Sequence, residues 1–201
     1  EEWGENDKEK YEKFYKTWGS VFKTGINSDF NNKSKIVELM RYETSAIEKN
    51  KFKSLKEYVK TMQSNQNDIY YVMGDSREII ERNPNLEYFK QKGIEVIYLY
   101  DPADIFTFPY INEYDGKKLT SIDKADLDID SNEPVDEDSS INKEKKSEII
   151  NKIKDILGDK VENVIESKRL TDSPATLVSG KNAMDPQMEK MLKAMDKSFN
   201  P

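Results

Sequence analysis

The residues Gly74-Asp75-Ser76 stand where a phosphate could be held. Ahead of them runs Ile69-Tyr70-Tyr71-Val72-Met73, apolar enough for a buried strand, and residues 76–82 behind them read as a helix. A strand that turns through glycine into a helix points backbone N–H groups at one spot, and phosphate loops are built that way. Phosphate chemistry asks for more. A dinucleotide loop needs three spaced glycines and a Walker loop needs Gly-Lys-Ser/Thr, whereas residues 74–76 offer one glycine and no lysine. One glycine at such a turn is ordinary α/β punctuation, and Asp75 and Ser76 are ordinary helix caps. A second cluster, Asp126, Asp128 and Asp130, has the alternation of oxygen ligands in a calcium loop but lacks that loop's glycine and closing glutamate. With Glu133, Asp136, Glu137 and Asp138 it reads as a solvated acidic linker. A magnesium-dependent α/β enzyme using Asp75, Ser76 or the Asp126–Asp130 cluster is therefore the rival reading, and a purely structural module is a third.

Composition narrows the chemistry further. The 201 residues include no cysteine and no histidine. That excludes disulfides, thiolate nucleophiles, zinc sites with nitrogen or sulfur ligands, and every triad that relies on an imidazole. The net charge of −7 is spread over both signs, so no basic face argues for nucleic acid. No long apolar run argues for a membrane, and Glu1-Glu2-Trp3 does not open a secretory signal.

Two stretches suggest binding rather than catalysis. In "AMDPQMEKMLKAMDKSF", Met184, Met188, Met191, Leu192, Met195 and Phe199 fall on one helical face, with Glu189, Lys190, Lys193 and Lys197 elsewhere. Four of the seven methionines lie here, and methionine recurs on surfaces that accept many partners because its side chain is flexible and polarisable. In "DPADIFTFPYINEYDGKKL", Phe106, Phe108, Tyr110 and Tyr114 crowd a short helix and cannot all face one way, so some stay at the surface.

The elements that would position these residues follow from periodicity. Residues 6–24 form an amphipathic helix, with Tyr11, Phe14, Tyr15, Trp18, Val21 and Phe22 inward and Gly25 as its C-terminal cap. A second helix covers 33–42, with Ile36, Leu39 and Met40 inward. A third starts at Ser54, where Glu57 gives the capping-box spacing. Strands are expected at 68–73 and 95–100, joined through helices at 76–82 and after Asn83-Pro84, which makes a parallel pair. Another helix is expected at 103–112 and a short strand at 118–122. Past the acidic linker, Ser147 would cap a helix stopped by Gly158, then strands at 161–167 and 169–178, then a helix from Pro186. The fold class is α+β with α/β character: a small three-helix bundle plus a small αβα layer over 1–125, a linker over 126–146, and a second small α/β unit over 147–201.

Several segments in fixed order, "FYKTWGSVFKTGINSD", "LMRYETS", "SLKEYVKTMQSNQNDIYYVMGDS", "EVIYLYDPADIF", "EYDGKKL" and "SKRLTDSPATLV", resemble the heat shock protein 90 chaperones, and the tail resembles their bacterial branch. The likeness covers roughly residues 8–122 and 147–197. It implies a piece comprising the second half of the family's middle domain and the start of its C-terminal domain. It also implies a bacterial cytoplasmic homodimer whose ATP and magnesium site lies in an N-terminal domain outside this sequence. This piece would then have no catalytic, cofactor or metal residue of its own. Two client contacts carry over by resemblance: Phe106, where many members have Trp, and the amphipathic helix carrying Met184, Met188, Met191 and Leu192. Ile105 and Pro109 depart from the acidic and polar residues usual beside that aromatic.

Overall fold

The computed structural model describes residues 2–124, 142–167, 169–180 and 183–196. Helices α1 (Glu2–Asn6), α2 (Lys8–Lys23), α3 (Gly25–Ser28), α4 (Lys33–Leu39) and α5 (Leu55–Thr61) come first, with a two-residue strand β1 (Glu43–Thr44) before α5. Then follow β2 (Ile69–Met73), α6 (Arg77–Ile80), a 3-10 turn at Pro84–Leu86, α7 (Glu87–Gln91) and β3 (Val96–Leu99). Next are α8 (Pro102–Thr107), a 3-10 turn at Phe108–Tyr110, β4 (Glu113–Tyr114) and β5 (Lys117–Ser121). Beyond the acidic stretch lie α9 (Lys143–Leu157) and α10 (Pro186–Met195).

The sheet runs β1-β3-β2-β5-β4. β2 pairs in parallel with β3 and with β5, and the short edge strands β1 and β4 pair antiparallel. A parallel sheet needs both faces covered, so its strands are apolar throughout rather than alternating with polar residues. Here alternation sorts the side chains between two cores instead. Ile69, Met73, Ile97 and Leu99 join Ile26, Ile36, Met40, Leu55, Tyr58 and Phe108 on the face covered by α3, α4 and α5. Val72, Val96 and Tyr98 face Ile80, Leu86 and Phe89 of α6, the 3-10 turn and α7 on the other. The helices expected as a bundle thus share a core with the sheet.

Local chemistry fixes the helix ends. The Ser54 hydroxyl accepts from Glu57 N at 3.1 Å and the Glu57 carboxylate accepts from Ser54 N at 2.8 Å, the reciprocal capping box that the spacing predicts. Asp101 and Asp185 cap α8 and α10, each followed by proline at the first helical position. Gly158, at φ 53°, ends α9 in a conformation that side chains disfavour.

Four expectations are corrected. Gly25 opens α3 instead of capping α2. Trp18 and Val21, expected inward, are 55% and 64% exposed, because the buried stripe of α2 runs through Tyr11, Tyr15, Gly19 and Lys23. Asn142, not Ser147, caps α9, its side chain accepting from Glu144 N. No ladder forms at 161–167 or 169–178, so the second unit has no sheet of its own among the described residues. Only Ser179 pairs, as an isolated bridge to Lys124. The chain after Arg169 instead wraps the first unit. Arg169 donates to Ile122 O at 2.7 Å, Asn85 Nδ2 to Leu177 O at 3.4 Å, and Ser179 N to Asp123 O at 2.8 Å.

Candidate functional site

Phe106 and the methionine helix, far apart in sequence, are on neighbouring elements: α10 packs against α8. Phe106 is 42% exposed, whereas Phe108, two residues on, is fully buried against Tyr42 and Tyr71. Of the other crowded aromatics, Tyr110 is exposed and Tyr114 half-buried. A short helix followed by a 3-10 turn divides them, as the sequence requires. On α10 and just before it, Met184, Met188, Met191 and Leu192 are all half-buried, and Met195 is 75% exposed. Phe199 and the Asp126–Asp138 cluster lie outside the described residues. Lys190 Nζ ties α10 to the α/β layer through Asp75 Oδ2 at 2.6 Å.

α8 is held from below by charge. Lys23 Nζ of α2 lies 2.8 Å from Asp104 Oδ1 and 3.1 Å from Asp101 Oδ2, and the Ser20 hydroxyl donates to Asp101 Oδ2 at 2.7 Å. Asn27 Nδ2 donates to the carbonyl of Phe106 itself at 2.9 Å. Burial pushes the Asp104 carboxyl up to about 6 against the pull of Lys23. Burial acts the same way on Asp101, but there Lys23 and Ser20 outweigh it and hold the carboxyl below its ordinary value. None of these polar partners was expected from sequence. A lysine on the apolar face of α2, at helical spacing from Tyr15 and Gly19, is the signal that could have found the first of them.

The Gly74 turn is a packing device. A Cβ there would come within 2.6 Å of Ile80 Cγ1, so glycine lets α6 fold back onto the strand. Its mouth is a cleft of about 260 Å3 lined by Met73, Ile79, Ile80, Asn83, Asp123, Asp185 and Gln187. Two carboxylates and no cation line it, the wrong sign for a phosphate. Asp75 is engaged by Lys190, and the Ser76 hydroxyl accepts from Ile79 N at 3.3 Å. A nucleotide triphosphate does not fit these residues. Among the described residues no three acidic side chains gather as ligands for a metal ion, and no helix is long and apolar enough to cross a membrane.

Comparison with known proteins agrees with the resemblance read in the sequence. The model of the Hsp90 protein family matches residues 2–200. The chain belongs to the Hsp90 family. Among Hsp90 relatives, the chaperone protein HtpG of Chlorobaculum tepidum is 46% identical over 189 residues, covering 94% of this chain and 30% of its own length. HtpG of Chlorobium luteolum is 44% identical over 95% of this chain and 30% of its own, and that of Francisella tularensis 41% over 97% and 32%. The chain thus spans about 30% of the HtpG sequences it matches.

Proposed function

We propose that this chain is the client-holding part of an HtpG-type, ATP-dependent chaperone and that it relays the clamp motion of the whole protein without catalysing a reaction itself. The observation that supports the reading is the packing of α10 against α8: one helix carries an exposed aromatic, and the other, with the residue before it, a half-exposed methionine ridge. Phe106, Met184, Met188, Met191 and Leu192 are the client contacts. Flexible thioethers and one ring can adapt to many partly unfolded chains, each weakly, as a holding surface must. The names of the relatives support the chaperone assignment. In this reading ATP and magnesium bind a part of the full-length protein outside this sequence, self-association belongs to that protein, and the compartment is the bacterial cytoplasm. Residues 1–125 are the end of a middle domain, 126–146 a linker, and 147–201 the start of a C-terminal domain.

The test is methyl NMR of labelled methionines titrated with a permanently unfolded polypeptide, reduced and carboxymethylated lactalbumin, alongside a Met188→Ser/Leu192→Ser variant. Shifts at Met184, Met188 and Met191, with weakened binding in the variant and unchanged unfolding cooperativity, are expected. Unaltered binding in the variant would overturn the ridge assignment. Shifts with magnesium–ATP alone would favour the enzyme reading.

A further inference from the structure

Lys23 and Asp104 are among the least exposed charged residues described, at 4% and 2%, and nothing in client contact as proposed above uses them. Buried charge is costly unless paired, so the pair calls for an explanation in terms of what it holds. It joins α2 to α8. Asp104 sits two residues before Phe106 on a helix of six residues. Besides the apolar packing of Ile105 against the core, that helix has four polar anchors to α2 and α3: Lys23 to Asp104, Lys23 and Ser20 to Asp101, and Asn27 to the Phe106 carbonyl. A six-residue helix has little stability of its own, so its place is set by tertiary contacts, these polar ones among them.

We propose that Lys23 and Asp104 are positioning residues for Phe106, fixing the register of α8 on α2 so that the ring is held out beside α10. This rests on the assignment of Phe106 to the client surface. The cluster has a further property: one lysine serves two carboxylates. With Asp101 ionised, Lys23 is already balanced, and ionising Asp104 as well leaves a buried excess of one negative charge. The other groups that face it, Tyr15 of α2 and Tyr42, are buried phenols whose pKa values burial raises, so neither supplies compensating charge. Asp104 is therefore the group that exchanges a proton, and the grip on α8 changes as it does so.

The experiment uses the whole chain, with carboxymethylated lactalbumin as the probe. Dissociation constants are measured at several pH values between 5 and 8 for the wild type, Asp104→Asn, Phe106→Ala and the double variant. Asn keeps the shape of Asp and leaves Lys23 its partner Asp101. Asp104→Asn is expected to weaken binding about fivefold at pH 8, where Asp104 is ionised, and little at pH 5, where it is protonated; it should add little in the Phe106→Ala background and abolish the pH dependence of binding. If Phe106→Ala weakens binding while Asp104→Asn changes neither the affinity nor its pH profile, the positioning role is overturned and the client assignment stands. If Phe106→Ala has no effect, the client assignment falls and takes this inference with it. A second measurement needs no variant: the backbone amide of Phe106 is expected to titrate near pH 6 in the wild type. An α8 whose amides are flat from pH 5 to 7.5, together with an Asp104→Asn variant of unchanged affinity, overturns the proposal.

Discussion

Glu87 and Ser173 are joined twice across 86 residues of sequence, the carboxylate accepting from both the backbone N–H and the hydroxyl of Ser173. Glu87 Oε2 also receives the N–H groups of Thr171 and Asp172 at 2.8 and 3.0 Å. Three successive N–H groups converging on one oxygen make an anion nest in the backbone, and here the anion is the chain's own side chain. The Ser173 hydroxyl and the nest hold the Glu87 carboxyl down at about 2. A carboxyl with a depressed pKa contributes its contact above the unfolded value and loses it only as pH falls through the folded one. Glu87→Gln is expected to raise amide hydrogen exchange at Thr171–Ser173 while that of β2 and β3 stays slow. Unchanged protection of the three amides would show that the Asn85, Asp123 and Arg169 contacts suffice to hold this stretch.

Arg77 forms the tightest ionic cluster of the sheet edge. Its guanidinium meets Glu43 Oε2 at 2.5 Å, Glu81 Oε1 at 2.7 Å and the Ile47 carbonyl at 2.8 Å, while Tyr100 donates to Glu43 Oε1 at 2.6 Å. Glu43 is buried in β1, so removing its cation strands a charge, which costs about 3–5 kcal/mol. Arg77→Ala should lower stability by that amount in urea denaturation. Replacing the pair with apolar residues, Glu43→Leu/Arg77→Met, should recover most of the loss. If the single variant loses under 1 kcal/mol, the pair is better solvated than its geometry implies.

These two clusters mark where sequence reading stopped. The parallel pair β2–β3, the Ser54 capping box and the Pro186 helix start were legible because each is coded within a few residues: an apolar run, a Ser-x-x-Glu spacing, a proline. The strands expected at 161–167 and 169–178 had the right composition, but a strand is defined by its partner, and the N–H groups of Thr171, Asp172, Ser173 and Ser179 are committed to Glu87 and Asp123. β1 went unseen because Glu43-Thr44 is polar and becomes a strand only through β3 and Arg77. The aromatic stripe of α2 is visible in the sequence but its buried side is not, so spacing alone puts Trp18 inward, where the structure exposes it. At the candidate site, the methionine face and the crowding around Phe106 could be read directly, whereas their roles came from resemblance. Lys23 leaves a trace in the sequence, a lysine on the apolar side of α2, but its pairing with Asp104 does not, because that exists only once α2 and α8 meet.

Two phenylalanines separate folding from binding. Phe89 is fully buried beside Tyr70 and Tyr88, ring centroids 4.9 and 5.6 Å away, and Phe89→Ala should cost about 3–5 kcal/mol. Phe106 keeps much of its ring in solvent, so Phe106→Ala should change stability by about 1 kcal/mol or less and yet weaken capture of an unfolded polypeptide. Calorimetry and a binding isotherm on both variants decide it. A Phe106→Ala variant destabilised as severely as Phe89→Ala would make the ring a structural residue.

Gly74 poses the same question for the turn that first suggested phosphate binding. Its amide donates to Leu99 O at 3.0 Å, so its N–H belongs to the sheet and not to a ligand. A methyl group there would press on Ile80, and overpacking of this kind costs about 1–3 kcal/mol. Gly74→Ala should therefore lower the melting temperature. Millimolar magnesium–ATP should shift neither this variant nor the wild type. A nucleotide-dependent rise in the wild type that Gly74→Ala removes would reopen the turn as a binding site by mass action.

The proton on Asp104 should also be visible in stability. Its folded pKa, about 6, stands above the ordinary value of 3.8. The folded chain therefore binds more protons than the unfolded one between those values, and stability falls as pH rises through them. The contribution is fully present below the unfolded value and gone above about 6. Carboxylates with depressed pKa, such as Glu87, act in the opposite sense but at lower pH, so the Asp104 term is best isolated by difference. The wild type minus Asp104→Asn, measured by urea denaturation at half-unit steps from pH 4 to 7.5, should give a curve that declines and then levels near 6. A difference that is flat across this range would mean that Asp104 is already ionised at pH 4 and that Lys23 balances both carboxylates.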